Sequence, residues 1–233
     1  MYAIEVAQHA TSRGSYVPAI VAVAFMAAVG AFAIRQKRQK RARWDAYMRT
    51  VGLTAHEQQT SRGRVLSATG TLDGLQVECR SEYAVTVKAG RNANVTTRWT
   101  RFSVRFPNPM GIDLLVAEGR MRQLLASPLG VMAFEKLGGR ELGVSLEGTP
   151  VVTDDAAFDR DVYVAARDLA VARRAFDEPC RHAVQALLAL NPRAFVTDLG
   201  VHVSVEDFVP DPTRIVPAML AVASRIATLS VAV

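Results

Sequence analysis

The sequence predicts an α+β fold, in which a single N-terminal transmembrane helix precedes a largely antiparallel sheet packed with about four helices. Residues 17–34 carry no charged or strongly polar side chain. The rest of the chain mixes stretches of period-two apolar alternation with stretches of helical periodicity. Their order shows no regular βαβ alternation, which favours an α+β plan over a parallel α/β one.

Residues 17–34 read VPAIVAVAFMAAVGAFAI. As a helix rising about 1.5 Å per residue, this stretch spans about 27 Å, close to the ~30 Å hydrocarbon core of a bilayer. A buried soluble helix would show a polar face, and none is present. A cleaved secretory signal is a second alternative, since Ala31-Phe32-Ala33 fits a small-x-small cleavage site, but signal peptides carry their positive charge before the apolar run. We therefore predict a membrane-spanning helix.

A run of basic residues without an acidic one follows the apolar stretch, and we call it the basic collar. The positive-inside rule puts the collar and all that follows in the cytoplasm, and residues 1–16 outside, in a bacterial-type inner (plasma) membrane crossed once. The collar is also expected to attract anionic lipid headgroups, at about 1 kcal/mol per basic residue near the surface. Trp44 and Tyr47 just beyond either rest at the interface or begin the core of the domain. The collar consists of Arg35, Lys37, Arg38, Lys40, Arg41 and Arg43.

The formal net charge of +6 equals the charge of the collar, because acidic and basic residues balance in the remainder. A nucleic-acid-binding domain carries its positive charge on the folded body, so we expect no nucleic-acid partner. The expected partners are the lipid bilayer and a protein that the sequence does not identify. Cys79 and Cys180 lack metal-ligand spacing and are expected to be buried thiols, with a single disulfide as the alternative.

Residues 35–60 are predicted to form a basic juxtamembrane helix and a polar connector at 54–64, and residues 61–233 the cytosolic domain. The last helix carries Arg225 at its middle, which disfavours a second membrane span. Its stripe of Val216, Leu220, Ala223, Ile226 and Ala227 predicts a core helix instead. The expected strands are 65–71, 75–80, 83–87, 98–106, 112–116, 142–146, 158–166, 195–198 and 201–205. The expected helices are 127–137, 168–176, 179–190 and 212–229.

One segment resembles a known family. Residues 154–164 read DDAAFDRDVYV, and an Ala/Arg-rich helix and then Pro179-Cys180-Arg181 follow. Over residues 154–190 this is similar to a recurrent segment in a domain-of-unknown-function family of bacterial membrane-anchored proteins. The resemblance implies a membrane-tethered cytosolic domain and brings no catalytic residues.

Two charged groups are candidate sites. The acidic cluster of Asp154, Asp155, Asp159 and Asp161 lacks the spacing of a calcium loop, and is either a set of turn caps in a solvated loop or a weak cation or partner site. A basic sheet face is expected to lie towards the membrane or the acidic segment at 154–178, or to be simply solvated. This face comprises Arg80, Lys88, Arg91, Arg98, Arg101 and Arg105.

The sequence contains no phosphate-binding loop, zinc-spaced histidine pair or nucleophile elbow. His56, His182 and His202 are expected to be solvent-facing or structural, and no cofactor, metal or catalytic residue is predicted. The leading hypothesis is therefore a membrane-tethered binding or scaffolding domain. The alternatives are a ligand sensor or enzyme with a pocket between the sheet and the helices, and assembly through self-association.

Overall fold

A computed structural model describes residues 16–60, 63–89, 93–134, 144, 146–207 and 210–230. The chain forms two compact units, Met1–Arg43 and Trp44–Val233. Helix α1 (Tyr16–Thr50) supplies the described part of the first unit, and its last turns belong to the second. This long helix confirms the predicted N-terminal apolar helix.

The apolar half of α1 has no protein cover. The exposed fractions of Ile20, Phe25 and Phe32 are 66%, 69% and 67%. Within the described part of the chain, α1 is the one helix long and apolar enough to cross a membrane. A core helix of a soluble protein would bury these side chains, and this helix does not.

Over its described residues, the second unit is built on one nine-stranded sheet, in the order β1-β2-β3-β4-β9-β8-β5-β7-β6. Every neighbouring pair is antiparallel, which confirms the predicted sheet type. The strands are β1 (Thr54–Thr60), β2 (Gly63–Leu72), β3 (Leu75–Ala89), β4 (Ala93–Arg105), β5 (Leu115–Glu118), β6 (Thr149–Pro150), β7 (Val162–Ala166), β8 (Ala194–Thr197) and β9 (Gly200–Val205).

Helices follow β5 and interrupt the second half of the sheet, so the fold is α+β with more helices than the four or so expected. The additional ones are short. After α1 they are α2 (Met121–Leu125), α3 (Pro128–Phe134), α4 (Ala156–Asp161), α5 (Leu169–Ala175), α6 (Glu178–Leu190) and α7 (Pro212–Ser230).

The main core lies between one face of the sheet and helices α5, α6 and α7. Helix α7 is a core helix, as predicted: Val216, Ala223 and Ile226 are fully buried, and Met219 and Val222 complete the same stripe. The last turns of α1 add Trp44 and Met48, of which 1% and 0% remain exposed. Trp44 therefore belongs to the core of the domain.

A smaller apolar cluster lies on the other face of the sheet. Leu115, Tyr163 and Ala165 form it, and Met121 and Leu125 of α2 pack against them. This covers the β5–β7–β8 part of that face. Its β3–β4–β9 part, which we call the open face, carries polar and charged side chains instead.

Hairpins were predicted well where the turn residues are distinctive. Leu72 pairs with Leu75 across Asp73 and Gly74, whose φ angles are 51° and 79°. Two positive φ angles define a type I′ turn, for which Asp-Gly is a preferred pair. The β8–β9 hairpin also lies where the sequence predicts it, with Thr197 paired to Gly200.

The predicted connector at 54–64 was wrong, because Thr54–Thr60 is strand β1. It pairs with β2 from Thr54↔Thr69 to Thr60↔Gly63. Nearly all of its side chains are exposed on both faces, so no apolar alternation marks it. Backbone pairing at the sheet edge, and not side-chain burial, makes it a strand, and its polar character protects that edge.

The strand predicted at 158–166 is correct only for its second half. Residues Ala156–Asp161 form α4, because the Asp155 side chain accepts hydrogen bonds from the Ala157 and Phe158 amides and caps the helix. The strand then begins at Val162. A single helical turn buries Phe158 without any repeating pattern to reveal it.

Three further expectations are met only in part. The strand expected at 112–116 is β5, which begins at Leu115. Ser127 immediately precedes α3 and its side chain accepts a hydrogen bond from the Gly130 amide, as predicted for an N-cap, while residues 135–137 of the expected helix lie outside the described part. Of the expected strand 142–146, residues 142, 143 and 145 lie outside the described part, and Val144 and Leu146 are not in a strand but pack against the smaller cluster.

Candidate functional site

A groove of about 570 Å³ lies on the open face, above strands β3, β4 and β9. It is on the side of the sheet opposite the main core, whereas the alternative function placed a pocket between the sheet and the helices. The groove is lined by Gln76, Glu78, Arg80, Arg101, Ser103, Arg105, Phe106, Pro109, Leu199 and His202.

Strand alternation explains why these residues share a face. On β4, Phe102 and Val104 are fully buried in the main core, so their neighbours point to the other side. The register then aligns the open-face residues in cross-strand rows. These rows are Arg80, Arg101 and Ser204; Glu78, Ser103 and His202; and Gln76, Arg105 and Gly200.

His202 forms the floor of the groove. Its Nδ1 lies 3.1 Å from the Ser103 hydroxyl oxygen, and its Nε2 lies 3.3 Å from that of Thr197. The sequence predicts that His202 faces away from Val201 and Val203, and it does. It is nevertheless buried, with 6% of its surface exposed, because hydroxyl side chains of the two flanking strands enclose the ring.

Burial, and to a smaller extent the positive charges of Arg101 and Arg105, lower the pKa of His202 to about 4. The ring is therefore neutral at physiological pH, with one nitrogen donating and the other accepting. A neutral ring adds no charge to the groove. Its hydrogen bond through Nδ1 holds the Ser103 hydroxyl in place, and its hydrogen bond through Nε2 holds the Thr197 hydroxyl.

The Ser103–His202 contact has the form of a nucleophile and its base, but its chemistry favours binding. A base with a pKa of about 4 takes a proton from serine poorly at neutral pH. The second ring nitrogen meets the Thr197 hydroxyl, where a catalytic triad has a carboxylate. The arrangement thus positions a hydroxyl group without activating it.

The charge of the groove is positive. Its lining contains three guanidinium groups and one carboxylate, that of Glu78. Arg105 Nη2 lies 3.4 Å from Glu78 Oε2, and these side chains are 60% and 35% exposed. Such an exposed ion pair contributes little and is easily rearranged.

Asp198 fixes the end wall of the groove. Its carboxylate accepts hydrogen bonds from the amides of Asp113 at 2.8 Å, Leu114 at 2.9 Å and Ile112 at 3.4 Å. Its carbonyl oxygen accepts from the Met110 amide at 3.1 Å. These bonds hold the loop containing Phe106 and Pro109 against the β8–β9 turn.

Gly200 permits the close approach of that turn to β4. Its φ angle is 150°, and a Cβ atom there would lie 2.1 Å from the carbonyl oxygen of Val104. Any side chain would push β9 away from β4. The cross-strand contact between Ser103 and His202 depends on this approach.

Comparisons of the chain with protein-family models, curated proteins and solved structures found no match. The resemblance of residues 154–190 to a family of membrane-anchored proteins therefore stays a prediction.

The structure places the acidic cluster between β6 and α6 and gives each carboxylate a local role. Asp155 caps α4, Asp159 accepts from the Thr153 amide and hydroxyl, and Asp161 pairs with Arg160. The amides of Phe158 and Ala157, together with Arg181, lower the pKa of Asp155. A cation or partner site here stays a prediction, and within the described residues no group of three or more His, Cys, Asp or Glu side chains is placed to hold a metal ion.

Arg181 links this cluster to α6. Its Nη1 lies 2.9 Å from Asp154 Oδ1 and 3.0 Å from the carbonyl oxygen of Phe176. Its Nε lies 3.7 Å from Asp155 Oδ2, and only 14% of the side chain is exposed. The acidic segment is thus held by a residue on the helical side of the sheet.

Of the predicted basic face, the structure brings Arg80, Arg101 and Arg105 together around the groove. The side chains of Lys88, Arg91 and Arg98 lie outside the described part. His202 was expected to be solvent-facing or structural, and it is a buried, hydrogen-bonded residue of the groove floor. Alternation on β9 gives its direction, but its partner Ser103 lies far away in the sequence.

The six collar residues lie on α1 of the first unit. At about 100° per residue, their spacing distributes them around the whole circumference of the helix. A helix that lies flat on a membrane or a protein concentrates its charge on one side. A complete ring of charge suits a helix that passes through a headgroup layer.

Proposed function

We propose that this protein is a membrane-anchored binding domain, in which α1 crosses the bilayer, the basic collar stays at the cytoplasmic headgroups and the second unit presents the open face to a ligand. The observation that carries the proposal is the uncovered apolar half of α1. The exposed fractions of its larger apolar side chains range from 51% at Val29 to 69% at Phe25.

An apolar surface of this kind is unfavourable in water, by roughly 25 cal/mol for each Å² that could be buried. Soluble monomers rarely expose a continuous apolar patch of such length. In a bilayer the same side chains are in their preferred solvent, and the helix satisfies its own backbone hydrogen bonds. A membrane span accounts for both properties of α1.

The collar supports the orientation. Its six basic residues follow the apolar stretch, while Arg13 is the one basic residue before it. Basic residues near the end of a span remain on the cytoplasmic side. The same charge order argues against a cleaved signal, whose positive charge comes first.

The domain must lie near the membrane if α1 spans it. Residues 35–43 separate the apolar stretch from Trp44, the first buried residue of the second unit. Even fully extended, this segment reaches about 30 Å. A binding role at or close to the membrane surface follows from this short reach.

Extraction and topology measurements test the proposal. We expect the full chain to stay with membranes in alkaline carbonate, and the purified product to keep its unprocessed mass of 25.3 kDa. A C-terminal reporter that is active only outside the cytoplasm should be silent. Release by carbonate, or loss of the N-terminal segment from the product, would contradict the anchor.

A collar variant provides the matched control for orientation. Replacing the six collar residues with glutamine leaves the apolar stretch intact and removes the charge bias. We expect a substantial fraction of this variant to invert and activate the external reporter. Equal silence of the reporter in both proteins would show that the collar does not set the topology.

A further inference from the structure

We propose that the open-face groove binds the phosphate group of a small soluble phosphate monoester, held by Arg80, Arg101 and Arg105. The proposal names the ligand class for the binding role proposed above and rests on that role, but not on membrane insertion. Three observations support the proposal: the register of strands β3, β4 and β9, the shape of the groove and the charge of the groove.

Arg80 and Arg101 are direct cross-strand partners on the same face of β3 and β4. Directly opposite residues in an antiparallel pair have Cα atoms about 5 Å apart, so the two guanidinium groups reach the same part of the groove. An anion there can accept hydrogen bonds from both of them.

The sheet preorganises the arginine side chains of the groove. Backbone pairing of β3 with β4 fixes the two arginines side by side, and Arg105 lies farther along β4 on the same face. Planar guanidinium groups present paired N–H donors that match phosphate oxygens. Because the sheet supplies the geometry, less ordering is needed on binding than in a flexible loop.

The floor of the groove supplies a further hydrogen-bond donor. Ser103 lies between Arg101 and Arg105 on β4, with His202 3.1 Å away. With the ring proton on Nδ1, His202 donates to the Ser103 oxygen, and the serine hydroxyl can then donate to an anion above it. The neutral ring thus orients a donor towards the bound oxygen.

The shape of the groove favours a soluble ligand over a lipid headgroup. Phe106, Pro109 and Leu199 close one end of the groove with apolar surface, and Asp198 holds that wall in place. A volume of about 570 Å³ is typical of small-molecule sites. A flat bilayer surface fits a walled groove poorly, whereas a small ester can place its organic part against the wall.

Phenyl phosphate is a suitable probe, because it combines a phosphate monoester with an apolar ring. Binding to the full chain in uncharged detergent micelles is measured by isothermal titration calorimetry. We expect saturable one-to-one binding that weakens as salt is added, since salt screens the charges. Phenol should not bind, and inorganic phosphate should compete more weakly than phenyl phosphate.

Arginine variants locate the site. We expect Arg101→Gln to weaken the binding of phenyl phosphate at least ten-fold, and Arg101→Lys to weaken it less, because lysine keeps the charge and loses the paired donors. Arg120→Gln is the matched control: its side chain is 89% exposed and it is not part of the groove, so affinity should be unchanged. Arg80→Gln is a second groove variant, should Arg101→Gln fail to fold.

Three results would overturn the proposal: no binding of phenyl phosphate at millimolar concentration, equal losses in the groove variants and in Arg120→Gln, or binding only to vesicles that contain phosphatidic acid. The last result would assign the phosphate chemistry to a lipid headgroup. These measurements are made in micelles, so a failure of the membrane anchor in the carbonate test leaves them intact. A failure of the groove likewise leaves the anchor untouched.

Discussion

At the scale of single residues, His202 shows how a polar side chain becomes part of a sheet. Hydroxyl groups of Ser103 and Thr197 occupy both ring nitrogens, so burial leaves the ring satisfied. Protonation of a buried neutral ring of this kind destabilises the folded state. The groove floor should therefore respond to acid in a measurable way.

We predict a His202-dependent loss of stability between pH 6.5 and pH 4. The folded-state pKa is about 4, below the ordinary histidine value of 6.5, so in this range the unfolded chain binds a proton that the native chain does not. Linkage then lowers the free energy of unfolding as the pH falls through this window, by about 3 kcal/mol in total.

Urea unfolding of the full chain in micelles, followed by tryptophan fluorescence at pH 7 and pH 4.5, checks this prediction. His202→Gln keeps hydrogen-bonding groups and removes the titration, so its stability should change less between the two pH values. Carboxylate titration is common to both proteins and cancels in the comparison. Identical losses in both would contradict the assigned role of His202.

The direction of His202 could be predicted from the sequence, but its burial could not. Alternation with Val201 and Val203 puts it on the opposite face, as observed. Its enclosure comes from Ser103, which reaches it only through the pairing of β4 with β9. Local periodicity does not carry that information.

At the scale of elements, the last turns of α1 belong to the folded domain. Trp44 and Met48 are fully buried one helical turn apart, where they join the main core. The predicted boundary at residue 61 therefore falls after core residues. The collar and the first core residue are adjacent along the same helix.

We predict that Trp44→Ala lowers the free energy of unfolding by about 3–5 kcal/mol and Met48→Ala by about 2–5 kcal/mol, because each leaves a cavity in a packed core. A fragment of residues 51–233 lacks both side chains and should unfold without a cooperative transition. A fragment of residues 44–233 is the matched control and should unfold cooperatively. Equal cooperativity in the two fragments would show that these turns are dispensable.

Elements were predictable where burial imposes a repeat and unpredictable where it does not. Helix α7 shows a regular apolar stripe and was placed closely. Strand β1 is polar on both faces, and α4 is one short turn stabilised by the Asp155 cap, so neither leaves a periodic pattern. Edge pairing and capping are local hydrogen-bond effects that hydropathy does not record.

At the scale of the whole molecule, the sheet separates the main core from the open face. Cys79 of β3 and Cys180 of α6 both lie in the main core and are free thiols, as the sequence predicts. Burial raises the pKa of each thiol to about 12. The reactive thiolate form is therefore suppressed in the native state.

We predict that N-ethylmaleimide at pH 7.5 leaves both cysteines of the native full chain unmodified and labels both after unfolding in urea. Mass spectrometry gives the number of adducts. Ser224→Cys places a thiol on the exposed side of α7 and is the positive control, which should react rapidly in the native state. Rapid native labelling of Cys79 or Cys180 would mean that the core opens locally.

The fold class follows from the sequence because alternation and helical periodicity are local properties. The groove does not, because it joins residues 76–109 with residues 199–202, which meet only in the strand order of the complete sheet. Arg101 and Arg105 were predicted to share a face. The sequence did not indicate which other strand completes that face.

The short stretch between the apolar part of α1 and Trp44 has a consequence for affinity. A tether of residues 35–43 would confine the groove to a thin layer beside the bilayer. Two modules joined by a short linker meet at an effective concentration in the millimolar range. A partner protein anchored in the same membrane would then contact the second unit even when the intrinsic dissociation constant of the pair is itself about millimolar.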